Sequence, residues 1–282
     1  MPGTEGIAEK LAGLRRVLGE LPGAVVAYSG GADSAFLAEM SHRVLGPRFL
    51  AVTADTPSLP RRELEDAIRL ARARGWRHRV VATNEIEDER YAANPLDRCY
   101  FCKSALFDRL APLARRLRAP ILLGTNLDDL GDWRPGQAAA DERGARHPLV
   151  EAGLTKAEIR QASRALGLPT ADKPAAACMA SRFAYGVRVT GEGLARVERA
   201  EESLLRRGFP VVRVRDLGED RARVEVAAED LSRLIPISGE VCEELSRLGF
   251  VKVTIDEEGY RRGALNEGMS LTVRSPAGRG LA

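Results

Sequence analysis

Lysine is nearly missing from this chain. Of 43 Lys and Arg residues only five are lysine: Lys10, Lys103, Lys156, Lys173 and Lys252. Such a bias is set by genomic base composition as readily as by phosphate recognition. With a net charge of only +3, the chain has no call for a polyanionic partner, and nucleic acid is not expected. Histidine is scarcer still, and His42, His78 and His147 stand at no spacing that would hold zinc. Apolar runs fall short of the roughly 20 residues that cross a bilayer. The opening Met1-Pro2-Gly3 leads into a helical pattern rather than a signal peptide. A cytoplasmic protein without membrane contact is expected. Four cysteines in 282 residues do not make a disulfide framework in a cytosolic chain of this size. The rest, 44% hydrophobic and 29% charged, is the composition of a globular enzyme with room for one large domain or two smaller ones.

The stretch Ser29-Gly30-Gly31-Ala32-Asp33-Ser34 lies between a short β-type run, Ala24 to Ala27, and the start of a helix at Ala35. A glycine pair there lets bare backbone approach an anion, with the amides of the first helical turn and the hydroxyls of Ser29 and Ser34 aimed at it. Asp33 would repel a naked phosphate, so it either orients those amides or holds Mg²⁺ on a pyrophosphate. The lysine of the kinase-type phosphate loop is missing. The bland alternative is an ordinary glycine-rich turn.

Strands and helices alternate around this loop. A helix over 7–20 carries Ile7, Leu11, Leu14 and Leu18 on one face, to pack on a sheet edge or a partner subunit. Strands are predicted at 49–54, 80–82 and 121–123, and helices at 61–74 and 102–118. That order implies an α/β fold with a doubly wound parallel sheet. Ligands of such sheets sit off the carboxyl ends of the strands, so the loops after Ala27, Ala54, Ala82 and Leu123 share one rim. Asp55 and the acidic stretch from Gly124 to Gly136, Asn126 included, lie on it; helix-capping aspartates are the alternative there. After Gly186 the pattern changes to a helix over 193–207, an alternating hairpin over 211–226, and a last helix and strand. This is a smaller α+β domain. The expected domains are 1–187 and 188–270, with a tail over 271–282. In the hairpin Arg213 and Arg215 share one face, as a clamp for phosphate or carboxylate or as solvated strand charges.

Cys99 and Cys102 form a C-x₂-C pair at a helix start, where a thiolate's pKa is lowered. Cys178 lies far downstream, and Cys242 reads as a small semi-buried residue. The pair alone is compatible with zinc, redox work or a structural role. Three thiolates suit a [4Fe–4S] cluster with one iron left open.

Together the motifs are specific. S-G-G-A-D-S (29–34) is similar to the PP-loop of the ATP pyrophosphatases. With N-P-x-D-R-C-Y-x-C-K (94–103), G-T-N-x-D-D-x-x-D-x-R-P-G (124–136), K-P-A-x-x-C-x-A-S-R-x-x-Y-G (173–186) and G-Y-R-R-G-x-L-N (259–266), the chain resembles the LarE family from about Val25 to Asn266. These are ATP-dependent sulfur transferases that help build the nickel-pincer nucleotide cofactor of lactate racemase. The resemblance implies that Ser29, Gly30, Gly31, Asp33, Ser34, Asp55 and Asn126 bind ATP with Mg²⁺, and that Asp33 and Cys178 are catalytic. It implies a substrate, pyridinium-3,5-biscarboxylic acid mononucleotide, held by Ser181, Arg182, Arg213 and Arg215. Glu201 and Glu225 match positions that bind metal or substrate, and a homo-oligomer is implied. Some members carry a lone cysteine where Cys178 stands, and this chain matches the three-cysteine version. Two sulfur routes follow. Cys178 gives up its own sulfur and becomes dehydroalanine, or Cys99, Cys102 and Cys178 hold a [4Fe–4S] cluster and a sulfide donor supplies the sulfur. Other classes are a tRNA thiolase, an amide-forming synthetase of the NAD or GMP type, and a non-catalytic ATP sensor.

Overall fold

The computed structural model describes residues 3–131, 135–174 and 177–261. Their elements are α1 (Gly3–Gly19), β1 (Ala24–Ala27), α2 (Ala32–Leu45), β2 (Phe49–Asp55), α3 (Arg61–Ala73), β3 (His78–Ala82), α4 (Glu89–Ala92), α5 (Arg98–Leu117), β4 (Ile121–Leu122), α6 (Pro135–Asp141), α7 (Pro148–Glu151), α8 (Lys156–Ala165), α9 (Gly191–Arg206), β5 (Val212–Asp216), β6 (Arg221–Val226), α10 (Leu231–Leu234), α11 (Ser238–Arg247) and β7 (Lys252–Ile255). The chain divides into two compact units between Glu198 and Arg199, inside α9. The expected tail over 271–282 and residues 262–266 of the last motif lie outside the described residues.

In the first unit β1 is Ala-Val-Val-Ala, apolar on both faces, and it sits mid-sheet. The order is β3-β2-β1-β4, and every pairing is parallel. Val26 faces a core with Phe36, Leu37, Leu14 and Leu18. Val25 faces the other way, into a core with Phe107, Leu110 and Ile121. Both faces are therefore covered, and the α/β fold with a doubly wound parallel sheet is the observed one. From β1 the chain winds outward through β2 to β3, then returns through α5 to place β4 on the opposite side of β1. The reversal of winding opens a crevice at the carboxyl ends of β1 and β4.

Details differ from the sequence pattern. α1 buries Leu14 and Leu18 in the first core, beside α2. α5 starts at Arg98 rather than at 102, so Cys99 and Cys102 occupy its first turns. β3 is an edge strand with Arg79, Val80 and Ala82 exposed.

Charge inside the first core is compensated. Glu39 on α2 is buried and accepts hydrogen bonds from Arg43 Nε (2.7 Å), Arg74 Nη2 (2.5 Å) and Trp76 Nε1 (3.0 Å). Burial would raise its pKa, but the bonds from Arg74, Arg43 and Trp76 outweigh that and hold it at about 2, against an ordinary 4.5. A depressed carboxylate stabilises the fold fully above its unfolded pKa and loses that contribution as pH falls through the folded one. Glu39→Gln is expected to destabilise the protein at pH 7. In urea melts its difference from the wild type should shrink as pH falls from 4.5 towards 2. A difference independent of pH would assign the loss to packing.

The second unit, residues 199–261, holds a three-stranded sheet in the order β5-β6-β7. β5 pairs antiparallel with β6, and β6 pairs parallel with β7. Val212, Val214, Val224 and Val226 are buried, as are Val241 and Leu245 of α11. Alternation predicts that the opposite face is open to water. Instead Arg215 and Glu225 are also buried, because they neutralise one another there.

Candidate functional site

The loop after β1 is built before any ligand arrives. Ser29 Oγ and Ser34 Oγ are 3.0 Å apart, the Ser29 N–H donates to Ser34 Oγ (3.2 Å), and Ser34 Oγ lies 3.1 Å from the Gly31 carbonyl to which it donates. Gly30 has a φ of +77°, the left-handed region that favours glycine. Gly31 is the N-cap of α2 without any side-chain cap, so the first amides of the helix stay available to an anion.

β4 delivers the other wall of the crevice. A Cβ at Gly124 would stand 2.8 Å from Ser34 N and 3.0 Å from Asp33 C, so glycine is required for the two loops to meet. Gly124→Ala is expected to push them apart and to weaken ATP binding by at least about tenfold, because the clash is with backbone. Calorimetric titration would show it; wild-type affinity would mean that the loops part without consequence.

Asn126 is fully buried. Its Oδ1 accepts from Asp128 N (2.9 Å) and caps a short turn. Its Nδ2 has no hydrogen-bond partner among the described residues, and neither has Oδ1 of Asp33. The Asn126 amide still acts as a donor towards the Asp33 carboxylate, so the two groups face each other without closing a well-aligned hydrogen bond, an arrangement that a polar ligand would complete. Burial raises the pKa of Asp33, opposed chiefly by Lys156, with Asp129 adding to the rise and Arg160 and the Asn126 amide countering it. Lys156 Nζ is 4.0 Å from Asp33 Oδ2. Asp55, at the end of β2, pairs with Arg61 at 2.5 Å. Such a crevice fits a polyphosphate. It also fits Mg²⁺ in that ion's usual manner, one or two carboxylates with the rest from phosphate and water.

Two segments bring the thiols together. Cys99 and Cys102 sit on α5, and Cys178 precedes the turn Met179–Arg182. Met179 N donates to Ser58 O (2.8 Å), which ties that turn to the loop after β2. Ser181 Oγ donates to the Cys178 carbonyl (2.7 Å). Arg182, itself buried, donates through Nη1 to Ala177 O (2.8 Å) and Cys178 O (3.2 Å). Both residues expected to bind substrate therefore brace the backbone of Cys178. Asn94, at φ +54°, clips the two segments together. Its Nδ2 donates to Ala184 O (2.8 Å), its Oδ1 accepts from Arg98 Nη1 (2.7 Å), and its carbonyl accepts from Gly186 N (3.1 Å).

A lowered thiol pKa is expected at a helix start, and the structure reverses that expectation. Burial pushes the Cys102 thiol up, with the charges of Glu85 and Cys178 adding to the effect. Burial acts in the same direction at Cys99, helped by Cys178. Because Cys99 is exposed as a residue, the effect is firmer at Cys102. Desolvation outweighs the helix terminus here. Each thiol of the pair lies within electrostatic reach of Cys178. Among the described residues no three His, Cys, Asp or Glu side chains stand close enough to share one metal ion. A single zinc therefore does not fit. A cluster remains compatible with the donor set, since its thiolates bind different irons and stand further apart.

In the second unit Arg215 donates to Glu225 Oε2 through Nε (2.9 Å) and Nη2 (2.7 Å), and Arg223 donates to Glu225 Oε1 (3.0 Å). Arg213 donates to Val212 O (2.6 Å) and lies over the Tyr260 ring at 5.0 Å. Glu201 accepts the outward N–H of Val214 on edge strand β5 (3.0 Å). Arg215 and Glu225, read separately in the sequence, are thus partners.

Lys156 was missed, and Lys173 stood only as the first residue of the K-P-A motif, without a role. Lys173 Nζ donates to Gly30 O (3.2 Å) and pairs with Glu63 (2.5 Å). Scarcity is the signal that points to them, since two of only five lysines flank the phosphate loop.

No family profile matches the chain. Pyridinium-3,5-bisthiocarboxylic acid mononucleotide synthase of Lactiplantibacillus plantarum is 34% identical over 263 residues, 93% of this chain and 95% of that protein. The chain belongs to that synthase family. It is an enzyme chain on a PP-loop fold. An uncharacterized protein of Synechocystis sp. is 48% identical over 92% of the chain and 98% of its own length. An uncharacterized protein of Methanocaldococcus jannaschii is 29% identical over 84% and 90%. Among the described residues no helix is long and apolar enough to cross a membrane.

Proposed function

We propose that this enzyme is an ATP-dependent sulfur transferase of nickel-pincer cofactor synthesis. It converts the carboxylates of pyridinium-3,5-biscarboxylic acid mononucleotide to thiocarboxylates. The observation that carries this reading is the presence, in one unit, of a phosphate loop with its own hydrogen bonds and of two cysteine-bearing segments that Asn94 ties together.

A substrate carboxylate oxygen attacks the α-phosphorus of ATP, and pyrophosphate leaves. Loop amides, Asn126 Nδ2 and the nearby lysines bear the charge of the departing pyrophosphate, and Asp33 would hold Mg²⁺, which when bound offsets phosphate charge. Sulfur then attacks the acyl carbon. The C–O bond breaks and AMP departs, which solves the problem that a free carboxylate has no leaving group better than oxide. Ser181 and Arg182 hold the Cys178 backbone in place for this step. Cys99, Cys102 and Cys178 would hold a [4Fe–4S] cluster, which when bound supplies an iron with an open position for sulfide.

Pyrophosphate release is the test. It is expected with the mononucleotide and absent with tRNA, with ammonia donors or with ATP alone. Release driven by tRNA would assign a tRNA thiolase, and nucleotide binding with no release under any condition would assign a sensor.

A further inference from the structure

Lys173 has the placement of a ligand for the pyrophosphate half of ATP, held in reserve by Glu63. Its Nζ bonds the carbonyl of Gly30, inside the phosphate loop, at 3.2 Å, and the Glu63 carboxylate at 2.5 Å. Both side chains are about one-fifth exposed, so the pair is largely shielded from water. Glu63 stands in the first turn of α3, the helix whose Ala67 packs beneath Gly30. In the adjoining loop the fully buried Asn126 Nδ2 acts on the Asp33 carboxylate but closes no well-aligned hydrogen bond to a described residue, which leaves room for a polar ligand there. A lysine suits the task because its compact ammonium can turn from one acceptor to another, whereas the planar fork of arginine fixes a partner.

We propose that Lys173 exchanges Glu63 for the β- and γ-phosphates when ATP binds. Pyrophosphate carries more negative charge than one carboxylate, so the ammonium follows it. Glu63 acts as a competitor that the nucleotide displaces. This inference rests on the adenylation reading above.

The two carboxylate and ammonium partners make opposite predictions, and these separate the idea from a structural ion pair. Binding is read by calorimetry with α,β-methylene-ATP, which cannot be cleaved at the reacting bond, and with AMP, which lacks the β- and γ-phosphates. Lys173→Met is expected to weaken α,β-methylene-ATP by about ten- to a hundredfold, the range of a lost charge-assisted hydrogen bond, and to leave AMP within about twofold. Glu63→Gln should bind α,β-methylene-ATP more tightly than the wild type, because the competitor is gone. Lys173→Arg, which keeps charge and bulk, controls for folding and should bind more tightly than Lys173→Met. Weakening of AMP and α,β-methylene-ATP together by Lys173→Met would overturn the proposal, as would weaker analogue binding in Glu63→Gln. A wild type that binds neither nucleotide would overturn the adenylation reading and the lysine's role with it. Wild-type binding with unaltered variants would overturn the lysine's role alone.

Discussion

Asp33→Asn is expected to cut pyrophosphate release by at least about a hundredfold, the scale on which one oriented polar group acts on developing charge. The melting temperature should stay the same or rise. That pairing follows from the carboxylate's surroundings. Burial raises its pKa, so at neutral pH its charge is held at a cost to folding, and a neutral amide of equal size removes the cost. A catalytic group maintained against stability gives this signature, whereas a structural group loses both together. Activity close to wild type would remove Asp33 from the mechanism. A lower melting temperature with equal loss of activity would make it a structural residue.

The second large effect separates adenylation from sulfur delivery. Cys178→Ala is expected to abolish thiocarboxylate formation while pyrophosphate release continues, because the phosphate loop keeps its own hydrogen bonds. Cys99→Ala and Cys102→Ala decide the sulfur source. If three thiolates act together, either variant is inactive in sulfur transfer with sulfide under anaerobic conditions. If Cys178 gives up its own sulfur, both variants still form up to one product per chain. Mass spectrometry of the wild type after turnover provides the matching readout. The account expects an unchanged mass with several products per chain. Loss of one H₂S per chain at Cys178, equal to the product formed, would establish the sacrificial route.

Much of the first unit was legible from periodicity and punctuation. β1 is a short apolar run closed by Ser-Gly-Gly, and its burial on both faces follows from having no polar side. The rim also followed from topology, since the loops that carry Ser29 and Asn126 follow neighbouring strands of a parallel sheet. Less legible was anything that depends on contacts between distant segments. Asn94 stands in the sequence only as the first residue of the N-P-x-D-R-C motif, and the fold shows it clipping the two cysteine segments. Ser181 and Arg182 carry the types that bind substrate, yet in place they brace the Cys178 carbonyl. The thiol pair illustrates a competition that sequence leaves undecided. A helix start lowers a pKa and burial raises it, and only packing reveals which is larger. In the hairpin, alternation placed Arg213 and Arg215 on one face, but that this face is buried around Glu225 depends on elements that local pattern cannot see. Lys173 opens a motif that the sequence displays, yet its role was hidden for a different reason, because it lies in a bond to Gly30, 143 residues away.

The central claim is that a carboxylate oxygen of the substrate attacks the α-phosphorus of ATP and is later replaced by sulfur. It is tested most directly with mononucleotide labelled with ¹⁸O in both carboxylates. Attack at phosphorus makes that oxygen the bridge of the acyl-adenylate, and displacement by sulfur sends it away with AMP. The account predicts one ¹⁸O in the phosphate of AMP for every thiocarboxylate formed, with unlabelled pyrophosphate. Unlabelled AMP, or label appearing in inorganic phosphate beside ADP, would contradict it.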